Sequence, residues 1–99
     1  MINEIVWSPE SENDLSIILE YLVPKWNIKV ATHFLNEIEH QIKLIDNNPK
    51  LYPIIYEEQQ FRQCVITKHN SLIYVHENTQ IIILRIFDTR QNPKKLKFQ

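Results

Sequence analysis

The chain has 99 residues, 43% of them hydrophobic and 23% charged, with a net charge of −1, one cysteine and no glycine. That length suits one core rather than two. The missing glycine, where average usage gives roughly seven, excludes P-loops, dinucleotide fingerprints, nucleophile elbows and EF-hand loops, each of which needs a residue without Cβ.

Ile2 to Trp7 is a β-prone stretch that ends at Ser8-Pro9-Glu10, a helix start. Ser8 suits the cap, Pro9 the first helical position, and Glu10, Glu12 and Asp14 the positive end of the macrodipole. Leu15, Ile18, Leu19 and Leu22 then fall on one buried stripe, and Pro24 ends the helix near Val23. A second helix is expected from about Lys25 to Asn27 onward, its apolar face made by Ala31, Phe34, Leu35, Ile38, Ile42 and Ile45, until Asn47-Asn48-Pro49 closes it. So short a link makes the two helices an antiparallel hairpin.

After Pro49 the hydrophobic period changes from 3.6 to 2. Tyr52-Pro53-Ile54-Ile55-Tyr56 is a connection with at most a short extended piece, since prolines demote a strand. Three strands follow at about Phe61–Thr67, Ser71–Glu77 and Gln80–Asp88, joined at Lys68-His69-Asn70 and Asn78-Thr79. Asn47, Asn48, Asn70 and Asn78 stand in for glycine where φ > 0 is wanted. The last strand is apolar on both faces and is expected at the centre of the sheet; within it Arg85 shares a face with Ile83 and Phe87. The fold class is α+β, in the order β-α-α-β-β-β, with an antiparallel sheet of about four strands packed on one face by the helical hairpin. The other face must then be solvated or used for binding. One domain over 1–99 is expected, with a polar tail from about residue 89.

The charge is polarised along the chain. Residues 1–60 carry ten acids against four lysines, and residues 61–99 carry seven cations against Glu77 and Asp88. Arg62, Lys68, Arg85 and Arg90 come from strands and their ends, and their convergence would make a phosphate or carboxylate site. Alternatively, Arg85 pairs with an acid such as Asp88 or Glu77, and the others are solubility charges. His33, Glu37 and His40 lie on one helix face but lack the second copy that a di-iron site needs, so they read as a solvated face and no metal or cofactor is expected. Cys64 reads as a small core side chain, and His69 as a solvated turn residue that could also move protons. With one cysteine, no signal-peptide pattern and no apolar run near the ~20 residues that span a bilayer, the expected location is cytoplasmic, away from the membrane.

Three stretches resemble toxins of the RelE/ParE superfamily. They are Trp7-Ser8-Pro9-Glu10 with Asn13-Asp14-Leu15 and Ile18…Tyr21-Leu22, then Phe34…Ile38…Ile42…Ile45…Asn48-Pro49, and above all Arg85…Asp88-Thr89-Arg90-Gln91-Asn92-Pro93 after Phe61-Arg62-Gln63 and Leu72-Ile73-Tyr74-Val75. The resemblance covers nearly the whole chain and implies the toxin half of a type II toxin–antitoxin pair, held with a cognate antitoxin in a hetero-oligomer. Members like RelE cut mRNA on the ribosome with basic residues on the sheet and a C-terminal Tyr or His, whereas members like ParE poison DNA gyrase. Here Ser71 stands where such nucleases have an arginine, and no Tyr or His follows His76. The resemblance therefore implies a gyrase-directed toxin whose target-binding residues are Arg62, Arg85, Asp88, Arg90 and Asn92. The alternative is a metal-independent, ribosome-dependent mRNA endonuclease, in which Arg62, Arg85 and Arg90 stabilise the phosphorane and Lys68 or His69 handles protons. A third reading is an inactive relative that serves as an antitoxin-binding module.

Overall fold

Ser8 is the point at which the first strand becomes a helix. Its Oγ accepts from the Ser11 amide at 3.1 Å while its carbonyl accepts from the Glu12 amide at 3.0 Å, so two of the helix's free donors are satisfied at once. The same hydroxyl donates to the Leu84 carbonyl at 2.9 Å, which ties the helix start to the last strand. The computed structural model describes residues 2–25, 28–90 and 92–98. Its elements are β1 (Glu4–Trp7), α1 (Pro9–Lys25), α2 (Ile28–Asn47), β2 (Ile54–Tyr56), β3 (Phe61–Thr67), β4 (Asn70–Glu77), β5 (Gln80–Asp88) and a 3-10 turn at Pro93–Lys95.

Several expectations need correction. α1 passes Val23 and Pro24 to reach Lys25, because proline's fixed φ is helical and its missing donor removes only one bond of the last turn. The expected start of the second helix at Lys25 to Asn27 falls partly outside the described residues, as do Trp26 and Asn27 themselves and the side chain of Leu22. Along α2, Ala31, Phe34, Ile38, Ile42 and Ile45 are buried as expected, but Leu35 is 38% exposed. Of the asparagines proposed for left-handed turns only Asn78 takes that conformation, with φ 55°; Gln60, at φ 62°, is the other described residue there.

The sheet has five strands in the order β1-β5-β4-β3-β2, and it is mixed rather than antiparallel. β1 pairs in parallel with β5, Glu4 against Gln80 through Trp7 against Ile83; the helical hairpin carries the chain from β1 to the far edge at β2, and the antiparallel run β2-β3-β4-β5 brings it back beside β1. β2 is a three-residue edge strand directly after Pro53, where a missing donor can face outward. The central strand is β4, not β5. β5 is apolar on both faces because helices cover one and the chain's own tail folds over the other.

The helix-facing core joins Phe34, Ile38, Ile42 and Ile45 of α2 to Cys64, Leu72, Tyr74, Ile81, Ile83 and Ile86 of the sheet. Each fully buried Ile or Leu stabilises the fold by about 1.5–3 kcal/mol relative to exposure. On the opposite face Ser71, Ile73, Val75 and Phe87 are also buried, so that face is largely covered, although Val65 of β3 remains 57% exposed on it. The tail crosses it: Tyr56 donates to the Pro93 carbonyl at 2.7 Å, and the Phe98 ring packs on Tyr56 and Phe61 with centroids 5.4 and 5.1 Å away. No helix among the described residues is long and apolar enough to cross a membrane.

The opposite end of the sheet is closed by Asp46. Its buried carboxylate accepts from the amides of Ile2 and Asn3 at 3.1 and 2.8 Å and from Asn3 Nδ2 at 3.0 Å, while Asn3 Oδ1 meets His76 Nε2 at 3.2 Å. The Asn3 amide is the main cause that holds the Asp46 carboxyl below its ordinary value of 3.8. A carboxylate with a depressed folded pKa contributes stability above its unfolded pKa and loses it as pH falls through the folded value. Asp46→Asn should therefore lower the urea midpoint at neutral pH, with the gap to wild type closing in acid. A gap independent of pH would mean that the ionised form does not matter.

Candidate functional site

A groove of about 890 Å³ opens where α1, α2 and the far ends of β3, β4 and β5 meet. Its walls are built from Ile17, Ile18 and Tyr21 of α1, Val30 and Phe34 of α2, and Ile86 and Phe87 of β5. The groove exists because β1 is short. β1 turns into α1 after Trp7, opposite Ile83, so from Leu84 onward β5 has no strand on that side.

A bulge decides what faces this gap. Ile73 pairs with Arg85 and Tyr74 with Ile83, which leaves Leu84 as an extra residue. Ile83 and Ile86 can then both point into the core, and Arg85 moves off the face of Ile83 on which the simple alternation had put it. Asp14 fills the gap in the ladder. Its carboxylate accepts from the Ile86 amide at 3.0 Å and takes a bidentate pair from Arg85, Nε at 2.7 Å and Nη2 at 3.0 Å. The third nitrogen, Nη1, donates to the Lys97 carbonyl at 2.9 Å. The Arg85 and Asp14 side chains are only 20% and 12% exposed, and the Asp14 hydrogen bonds raise the arginine's pKa further above its ordinary range. Arg85 does pair with an acid, but its partner is Asp14, not Asp88 or Glu77.

The other candidate residues separate into two groups. Arg62 stands alone near the start of β3, where Nη1 donates to the Tyr52 carbonyl at 2.7 Å and the Lys50 carbonyl at 3.3 Å. It braces the chain after α2 and does not join Arg85. His69, Arg85, Asp88 and Arg90, by contrast, all line the groove. Thr89 staples this end together, its amide donating to the His69 carbonyl at 2.9 Å and its hydroxyl to the Lys68 carbonyl at 3.0 Å. Arg90, with a side chain 76% exposed, forks onto Asp88 through Nε at 2.9 Å and Nη2 at 2.5 Å. Those bonds, with the nearby charge of His69 as a smaller cause, hold the Asp88 carboxyl well below the usual range. Asn92 uses its side chain internally: Oδ1 accepts from the Lys94 amide at 3.0 Å and caps the 3-10 turn.

His33 lies in the groove, but among the described residues no group of His, Cys, Asp or Glu is arranged to hold a metal ion. Cys64 is fully buried, as expected of a core side chain. Burial pushes its thiol up to about 11, and its Sγ sits 3.4 Å from Gln41 Oε1, which also bonds the Tyr52 hydroxyl. The sequence reading missed Asp14 as a partner, and it missed the apolar wall. Ile17 and Tyr21 are 56% and 55% exposed and lie one turn apart, off the stripe of Leu15, Ile18 and Leu19, which is itself only half-buried rather than buried as expected. That misplaced apolar pair was the available signal.

This arrangement is an α+β fold with a charged, partly neutralised rim beside an apolar groove. The model of the family described as ParE toxin of type II toxin-antitoxin system, parDE, matches residues 5–93, and the chain belongs to that family. No curated protein matches. Among solved structures, the chromosomal ParDE TA system from P. aeruginosa aligns with TM-score 0.72 and 19% identity, over 88% of this chain and 96% of that one. The YoeB-YefM complex from Staphylococcus aureus aligns with TM-score 0.60 and 19% identity over 86% and 94%, and YafQ from E. coli strain BL21(DE3) with 0.59 and 14% over 88% and 93%. At these identities the likeness is one of fold.

The two groove arginines should respond differently to charge reversal. Arg85→Glu sets a carboxylate against Asp14 and should cost about 2–3 kcal/mol, less than a fully buried pair would because the site keeps some solvent contact. Arg90→Glu should leave the melting curve unchanged and abolish toxicity in an induced culture. An Arg90→Glu protein that melts like wild type and still arrests growth would remove Arg90 from the site.

Proposed function

We propose that the chain is a toxin that arrests growth by binding DNA gyrase in the cytoplasm and is neutralised by a cognate antitoxin. The observation that carries this reading is the ParE toxin family match across residues 5–93. The geometry of the groove supports it over the endonuclease. An RNA cut by 2′-hydroxyl attack needs a base, a proton donor and uncompensated positive charge for the phosphorane. In the groove, the guanidinium of Arg85 is neutralised by Asp14 and that of Arg90 by Asp88, while Arg62 is braced elsewhere. Paired charges beside exposed apolar side chains suit a protein surface better than a phosphate.

For the antitoxin, the groove supplies what an amphipathic segment needs: Ile17 and Tyr21 as apolar contacts and the Asp88–Arg90 pair as a polar rim. Similar structures include, in their own descriptions, a ParDE TA system and a YoeB-YefM complex. Two assays separate the readings. Purified toxin should inhibit supercoiling by gyrase, and primer extension on mRNA from induced cells should show no new ends. Codon-specific cleavage on ribosomes with normal supercoiling would establish the endonuclease instead, and normal growth without antitoxin would favour an inactive antitoxin-binding module.

A further inference from the structure

Three lysines of the tail carry charge that no ion pair among the described residues neutralises. Residues 89–98 contain Arg90, Lys94, Lys95 and Lys97 and no carboxylate. Arg90 is matched by Asp88, but Lys94, Lys95 and Lys97 are exposed and enter no ion pair among the described residues. These lysines are not on a free arm. Tyr56 holds the Pro93 carbonyl, Arg85 holds the Lys97 carbonyl, the Leu96 amide closes on Pro93 at 3.1 Å, and Phe98 is packed between Tyr56 and Phe61. Three ammonium groups within four residues are therefore mounted on a fixed strap across the sheet. The helical layer has the opposite sign, with seven carboxylates against three lysines over residues 9–47. A molecule polarised in this way turns its strap toward a polyanion and its helices away.

We propose that the strap is a docking edge for the phosphate backbone of duplex DNA. It deepens the gyrase reading and rests on it for its biological setting, since the DNA would be the duplex that gyrase holds. Lysine presents a mobile point charge rather than the planar fork that selects a carboxylate, and backbone phosphates need no more than that. A protein partner would want apolar anchors here, but Ile73, Val75 and Phe87 on the face beneath are already buried, and Val65, 57% exposed, is a small anchor by itself. Single-stranded nucleic acid would want aromatic faces for its bases. Tyr56, Phe61 and Phe98 have theirs packed against one another.

The test is fluorescence anisotropy of a short labelled duplex titrated with the whole toxin across a salt series, beside a variant with Lys94→Gln, Lys95→Gln and Lys97→Gln. Removal of three phosphate contacts should weaken binding at low salt by about tenfold or more and reduce the magnitude of the slope of log K against log salt by about 2.7. Circular dichroism should be unchanged, because all three side chains are exposed. Equal affinity and slope in the two proteins would overturn the proposal. So would tighter binding of a single-stranded RNA, or of an acidic peptide, through the same lysines. Lysine-dependent duplex binding by a toxin that leaves supercoiling untouched would uphold the strap and overturn the gyrase reading.

Discussion

Asp14 and Arg85 are 71 residues apart in the chain and meet in a bidentate ion pair that joins three parts of the molecule. The carboxylate belongs to the second turn of α1. It occupies the side of β5 that β1 leaves unpaired and takes the Ile86 amide as well as the guanidinium. The guanidinium extends the link to the strap through the Lys97 carbonyl. Helix, strand and tail thus share one partly buried charge pair, and the bulge at Leu84 is what brings Arg85 round to it. Without that pair, the Ile86 amide and a shielded arginine would both lose their partner, and the strap would lose one of its tethers.

The pair also bears on function. An arginine held at all three nitrogens is poorly placed to grip an outside ligand. The groove consequently presents apolar helix residues and one exposed ion pair, Asp88–Arg90, rather than a bare cationic pocket. Free positive charge is displaced to the strap. The molecule is thus divided into an apolar groove, a paired rim and a basic strap. This division agrees with membership in the ParE toxin family.

Much of the fold was legible because local signals and tertiary packing agree. Ser8-Pro9 starts α1 as a cap should, the α2 stripe is buried except at Leu35, and the strands Phe61–Thr67 and Gln80–Asp88 lie where the alternation put them. Long-range geometry was not legible. Nothing local tells whether β1 pairs in parallel with β5. A bulge changes which face Arg85 occupies without altering the apolar pattern. The tail reads as polar, yet its backbone carbonyls and Phe98 fasten it to the sheet, and such contacts leave no periodicity. At the site, the end of the sheet did gather His69, Arg85, Asp88 and Arg90, but Arg62 was set apart by the length of β3. The acid that matters most, Asp14, was legible only as a favourable charge near a helix start.

A double-mutant cycle on Asp14→Ala and Arg85→Ala, followed by urea denaturation, tests the clamp most directly. If the two side chains act as one unit, the double variant should be more stable than additivity predicts, with a coupling energy of about 1–3 kcal/mol. Additive losses, with coupling inside about 0.5 kcal/mol, would show that helix, strand and strap are held together by something other than this pair.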